Sequence, residues 1–182
     1  MLYYKLKDSQ SGMEVDLIDH GGTVTRILAP DRHGSLADVL LGCPTPKDYL
    51  RPHPHFNCLI GRYANRISNA RFQLNDILYE LDANTPPHHL HGGQHGFGLR
   101  TWASEPIDQG VRFKLVSADG EGGYPGELNV VAEYLLDGTT LRLRFSATTT
   151  QPTRPATKWF GRTQEGKTAL TKSINIMIKR IQ

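Results

Sequence analysis

Apolar and polar residues alternate with a period of two in several separate stretches of the first 150 positions. Met13-Glu14-Val15-Asp16-Leu17-Ile18 is the plainest case, and 111–116 and 140–148 repeat the pattern. In the last of these, Leu141, Leu143 and Phe145 fall on one face and Arg142, Arg144 and Ser146 on the other. Shorter runs at 2–5, 24–28 and 128–136 also read as strands, and Val39-Leu40-Leu41-Gly42 reads as a short apolar one. Turn signals separate them. His20-Gly21-Gly22 and Pro30-Asp31-Arg32-His33-Gly34 read as turns, and Asn75-Asp76 divides 72–81 into two strands. Asp137-Gly138 suits a tight primed turn between 128–136 and 140–148. Positions 44–54 form a Pro-rich loop, and 118–126 form a loop with four glycines. The pattern predicts an all-β fold over residues 1–150, an antiparallel β-sandwich with strands at sandwich-like spacing.

The pattern changes near Pro152. Leu170, Ile174, Met177, Ile178 and Ile181 fall at helical spacing with Lys and Arg on other faces. Residues 151–182 therefore read as a divergent basic tail with two open readings, a short basic amphipathic helix or a solvated end, and the second is the plainer one. Charge follows the same division. The chain of 182 residues carries +3 overall, but 151–182 hold seven Lys and Arg against Glu165 alone, a local +6 that leaves −3 for the rest. The body gives no reason to expect a nucleic-acid partner. No apolar run reaches membrane-spanning length, and the first residues lack a signal-peptide layout. Cys43 and Cys58 sit in no metal or redox spacing, which fits two reduced thiols and a cytoplasmic protein.

Candidate chemistry is concentrated in two polar sets, one on each side of the 72–81 hairpin. The first is Gly61-Arg62-Tyr63-Ala64-Asn65-Arg66-Ile67 and the second is His88-His89-Leu90-His91-Gly92-Gly93. Arg and Asn donate to oxygens, and neutral His donates and accepts at once, so the combination suits a neutral ligand rich in hydroxyls. Gly92 and Gly93 are expected to let backbone approach such a ligand closely. His88, His89 and His95 otherwise read as surface-loop histidines. His89-x-His91 is also the spacing of cupin metal ligands, but the acid expected a few residues later is missing, so no metal is expected. The 120–126 loop lacks the Lys-Ser/Thr and helix of a phosphate cradle, and Asp119, Glu121 and Glu127 read as solvated loop acids.

These motifs, taken in order, resemble the aldose 1-epimerase family, the galactose mutarotases. The resemblance runs through most of residues 20–150. It includes Gly21-Gly22-Thr23, Asp38-Val39-Leu40-Leu41-Gly42, the Arg62-to-Ile67 set, Leu90-His91-Gly92-Gly93 with Gly96-Phe97 and Trp102, and the loop reading SADGEGGYPGE at 117–127. The resemblance implies a β-sandwich that binds a hexose, such as galactose or glucose, in an open cleft. It implies interconversion of α and β anomers without metal or organic cofactor. A base removes the anomeric hydroxyl proton, an acid protonates the ring oxygen, and the ring opens and recloses on the other face. By the same resemblance Asn65, Arg66 and His91 are sugar-binding positions, and Arg62 joins them as a support of the cleft.

The chain departs from the family after Gln151-Pro152-Thr153. Where the family has a Thr-Asn-His-x-Tyr-Phe-Asn motif bearing the acid, this chain reads Arg154-Pro155-Ala156-Thr157-Lys158-Trp159-Phe160-Gly161. The base, a Glu further on in the family, has no counterpart either, so the chain reads as the family's first half with a substituted or out-of-frame end. The catalytic pair is therefore unassigned, with His91 the one auxiliary candidate. Three readings follow: a mutarotase-type isomerase impaired in this chain, a non-catalytic sugar-binding or interaction module, and, well behind, a cupin-like metal-binding β protein.

Overall fold

The computed structural model describes residues 1–53, 55–155 and, for its backbone, the strand at 172–177. Two sheets carry the fold. The first has four antiparallel strands in the order of the chain: β1 (Tyr3–Lys7), β2 (Glu14–Ile18), β3 (Thr23–Pro30) and β4 (Leu36–Asp38). Two short ladders follow. One joins β5 (Arg66–Ile67) to β8 (His89–Leu90); the other joins β6 (Arg71–Leu74) to β7 (Ile77–Glu80) across Asn75-Asp76, both at positive φ as a primed turn requires. The second sheet is built from β9 (Ala103–Ile107), β10 (Gly110–Ser117), β11 (Leu128–Asp137) and β12 (Thr140–Thr149), with β13 (Lys172–Met177) on its edge.

The alternation in the sequence becomes the burial pattern. Leu141 and Leu143 are fully buried and Phe145 nearly so, while Arg144 and Ser146 are exposed. The inner faces of the two sheets merge into one core. Met13, Val15, Leu17, Val24 and Ile27 come from the first sheet and its approach. Val111, Phe113, Val130, Ala132 and Tyr134 come from the second. The one polar atom that Tyr134 carries into this core is satisfied across the layers, because its hydroxyl donates to the Gly22 carbonyl at 2.7 Å. A second, smaller cluster of Ala70, Phe72, Leu81 and Tyr124 packs beneath the β6–β7 hairpin and the β5–β8 pair.

Two expectations are corrected. The apolar run at 39–42 is not a strand: β4 ends at Asp38, and Leu41 is 78% exposed. Four residues of unbroken apolarity hold no period, and after the Val39 N–H donates to the Ile27 carbonyl of β3 at 2.9 Å the ladder stops. The helical reading of the tail also fails where the structure describes it. Residues 172–177 are extended and pair antiparallel with β12, Leu143 opposite Ile174 and Leu141 opposite Ile176. Lys172-Ser173-Ile174-Asn175-Ile176 carries a period of two as well as the helical one. The unpaired N–H and C=O groups along the β12 edge decide between the two periods. Leu170, Ile178 and Ile181 lie outside the described residues. Among the described residues no helix is long and apolar enough to cross a membrane.

Candidate sugar-binding site

The two polar sets do not merely face each other; they are zipped together through backbone and imidazole. Arg66 pairs with Leu90 and Ile67 with His89. One residue further out, the His91 N–H donates to the Asn65 carbonyl at 3.2 Å, and the Asn65 N–H donates to His91 Nδ1 at 2.9 Å. At the other end the Asn69 N–H donates to His88 Nδ1 at 3.1 Å. The side chain of Asn84 acts as a surrogate strand for Leu90, accepting its N–H at 2.7 Å and donating to its carbonyl at 2.9 Å. A ring nitrogen that accepts an N–H is unprotonated, so neutral His91 carries its proton on Nε2. Asn65 and His91 both take positive φ, 73° and 57°, the left-handed region that side chains rarely adopt outside glycine. Arg66 is exposed, and its guanidinium has no hydrogen-bond or ion-pair partner among the described residues.

Of the four residues assigned to the site, Asn65, Arg66 and His91 are thus brought together, and Arg62 is not with them. Arg62 is 2% exposed and turned inward. Its Nε donates to Ser117 Oγ (2.8 Å), one terminal nitrogen to the Pro125 and Gly126 carbonyls (3.1 and 2.8 Å), and the other to the Ser117 and Ala118 carbonyls (2.8 and 2.6 Å). A guanidinium has five N–H donors, so none remains for a ligand. Burial pulls the Arg62 pKa down and the Glu121 carboxylate opposes that shift. Arg62 is therefore the clamp on the 117–126 loop, with no N–H left over for a ligand.

The rest of that loop is tied just as tightly. Arg100 forks onto both Glu121 oxygens at 2.9 and 2.8 Å, and Glu121 also accepts from the Ser117 hydroxyl. Asp119 accepts the Gly126 N–H. Glu121 is a half-buried structural acid rather than a solvated one, and Asp119, though exposed, ties the loop through the Gly126 N–H. Gly92 and Gly93 also serve the protein rather than a ligand. A Cβ on Gly92 would stand 1.6 Å from the Gly61 carbonyl oxygen, and one on Gly93 would stand 2.1 Å from Asp82 Oδ1. The His-Gly-Gly turn is thereby seated against the Arg/Asn set.

His89 is the other correction. It is fully buried, not a surface histidine. Its Nδ1 lies 2.7 Å from the Asp82 carbonyl oxygen and 2.8 Å from Asp82 Oδ1, and its Nε2 lies 2.8 Å from the Tyr124 hydroxyl. With two acceptors beside it Nδ1 donates, and in the neutral ring Nε2 then accepts the Tyr124 proton. Burial raises the Tyr124 pKa, so the phenol keeps the proton it donates. Both His89 nitrogens are committed to protein atoms, which gives the pairing of His89 with His91 as metal ligands no support. Among the described residues no cluster of three or more His, Cys, Asp and Glu side chains could hold a metal.

Sequence reasoning missed one set of groups at the site, in what it read as a Pro-rich loop. His53 accepts the Phe56 N–H on Nδ1 at 3.1 Å and meets Tyr49 edge-on at a ring distance of 5.3 Å. The His55 ring lies 5.0 Å from the His91 ring at 68°. Burial lowers the pKa of His53, His55 and His20, and His53 lowers that of His55 further. The signal available was His53-x-His55 a few residues before the Arg/Asn set.

The family model of aldose 1-epimerase matches residues 3–157. The chain belongs to the aldose 1-epimerase family. It is 41% identical over 150 residues to the galactose mutarotase of Sus scrofa, an alignment covering 82% of this chain and 43% of that protein. It is 36% identical over 146 residues to the aldose 1-epimerase of Escherichia coli K12, covering 79% of this chain and 42% of that one. Among solved structures, the aldose epimerase homologue from C. elegans superposes with a TM-score of 0.76 at 26% identity, covering 84% of this chain and 48% of that one. The galactose 1-epimerase of Lactobacillus acidophilus shares the fold at a TM-score of 0.71, covering 84% of this chain and 49% of that one. The chain thus spans less than half the length of these relatives, and the fold is the galactose mutarotase-like β-sandwich.

Proposed function

We propose that this chain provides the first half of a hexose-binding site of the aldose 1-epimerase type. Asn65, Arg66 and His91 contact the sugar, with galactose or glucose the ligand. The observation that carries this reading is the β5–β8 pairing, which sets Arg66, exposed and with no guanidinium partner among the described residues, next in the chain to Asn65, whose N–H fixes Nδ1 of His91. Arg66 supplies paired donors to vicinal hydroxyls, and the proton on His91 Nε2 supplies a neutral donor to a hydroxyl or the ring oxygen. Two free thiols, Cys43 and Cys58, fit a cytoplasmic protein.

Anomer interconversion needs a positioned acid and a positioned base, each worth about 10²–10⁴-fold. His91 can serve as one donor, and the Asn65–Arg66–His91 group contains no carboxylate to be the base. As a separate polypeptide the 182 residues are therefore expected to bind sugar and to accelerate its mutarotation little. This keeps a sugar-binding module as the second reading, since none of the three residues assigned to the site is an acid.

Titration of D-galactose and D-glucose against the chain, with Arg66→Ala and His91→Ala beside it, tests the reading. Each variant should lose affinity by roughly tenfold, the worth of one donor to a ligand hydroxyl. Parent-like binding by both variants would remove these residues from the site. Polarimetry on fresh α-D-galactose should show equilibration near the uncatalysed rate; the rate of an intact relative at equal concentration would show that an acid and a base are present after all.

A further inference from the structure

The turn at 55–58 holds His55 in a conformation that few side chains adopt. His55 and Asn57 both take positive φ, 55° and 57°. The His55 N–H donates to the His53 carbonyl at 2.8 Å, the Phe56 N–H donates to His53 Nδ1 at 3.1 Å, and the His55 carbonyl accepts from the Cys58 thiol at 3.6 Å. The Asn57 amide is anchored on the Leu41 carbonyl at 2.9 Å. Left-handed backbone at a non-glycine residue persists where its surroundings over-determine it. Here those surroundings bring the His55 imidazole to the His91 imidazole, centroids 5.0 Å apart and planes at 68°. An edge-to-face meeting is the favoured geometry for two aromatic rings.

His91 is gripped from two sides. Asn65 binds its backbone N–H and its Nδ1, and His55 packs against its ring. A ring turning about χ2 would leave the Asn65 N–H unpaired and sweep a volume that His55 partly fills.

We propose that His55 is a positioning residue for His91. It holds the His91 ring against the Asn65 amide, so that the Nε2 proton is presented in one direction to the ligand. The proposal rests on the reading of His91 as a sugar contact, but its core, the control of one imidazole by another, is measurable without sugar.

Long-range proton–nitrogen correlation on the chain with labelled histidine, at pH 7.5, should show Nδ1 of His91 unprotonated. His55→Ala should let both tautomers populate and should weaken D-galactose binding about three- to tenfold, the loss expected for one aromatic pair. His55→Phe keeps the ring edge without the nitrogens and should restore both readouts to within about twofold of the parent. Should His55→Ala not fold, His55→Phe against His55→Leu makes the same comparison. The proposal is overturned if His55→Ala leaves tautomer and affinity unchanged, or if folded His55→Phe behaves as His55→Ala does, which would make the His55 nitrogens themselves the functional groups. If the parent binds no galactose, the sugar reading falls and the tautomer comparison still decides the role of His55.

Discussion

Replacing Arg62 by Ala tests whether it is a clamp or a ligand contact. The change removes all five donors from a site at 2% exposure, leaving the Ser117 hydroxyl and four carbonyls without their partner. Each stranded buried polar group costs about 1–3 kcal/mol, and water entering the vacated space recovers part of that. The loss of Arg62 stacked over Tyr124, 5.7 Å from the ring centre, adds about 0.5–1 kcal/mol. The expected total is roughly 3–5 kcal/mol, a large part of the about 5–15 kcal/mol that a domain of this kind has. Arg62→Lys keeps the charge but offers three donors from a single atom, so it cannot fork across two pairs of carbonyls; about 2–4 kcal/mol should go. Urea unfolding followed by tryptophan fluorescence measures both. Below the unfolding range, hydrogen exchange in the 117–126 loop should speed up while exchange in β11 and β12 should not. A loss under about 1 kcal/mol for Arg62→Ala would mean that the loop is held by Arg100 and its own backbone, and that Arg62 is free to do something else.

Two other outcomes follow from the buried histidines. Tyr124→Phe strands Nε2 of fully buried His89 and should cost about 1–3 kcal/mol in the same unfolding assay, with sugar affinity unchanged, because both groups are buried and spent on protein atoms. Stability should also fall between pH 7.5 and pH 5.5. His20, His53 and His55 are held below their ordinary value of 6.5 by burial, so the unfolded chain takes up protons that the folded chain refuses once the pH drops below about 6.5. Their contribution is complete above that value and is lost on acidification toward the folded pKa values. The carboxylates with lowered pKa, such as Asp48 and Glu105, act only further down, below 3.8 and 4.5. A urea midpoint at pH 5.5 equal to or above that at pH 7.5 would contradict the sign.

How much of this was legible in the sequence depended on whether the cause was local. The β11–β12 hairpin was, because ten residues of alternation on each side of Asp137-Gly138 leave one register possible. So was β6–β7 around Asn75-Asp76. The pairing of the two polar sets was legible as chemistry and not as geometry. Arg62 and Arg66 stand four residues apart in one motif, and what turns one inward is a loop 55–64 residues downstream. His89 is buried for the same kind of reason, through Asp82 and Tyr124, 7 and 35 residues away. No local pattern separates it from exposed His95. At 172–177 two periods fit the same residues, and the free edge of β12 selected the extended one.

The Tyr134 hydroxyl on the Gly22 carbonyl joins residues 112 positions apart. The inner face of the β1–β4 sheet packs against β10, β11 and β12 together with Leu59, Phe97 and Trp102, all of it chain made after the sheet itself. At about 5–20 residues per second on the ribosome, Gly22 waits roughly 6–22 s for the partner of its carbonyl. During that interval Met13, Val15, Leu17, Val24 and Ile27 present an uncovered apolar surface on a nascent chain. The first sheet thus depends on sequence-distant chain to cover its apolar face, and slowing translation between codons 30 and 110 lengthens that exposure without changing any contact of the finished protein.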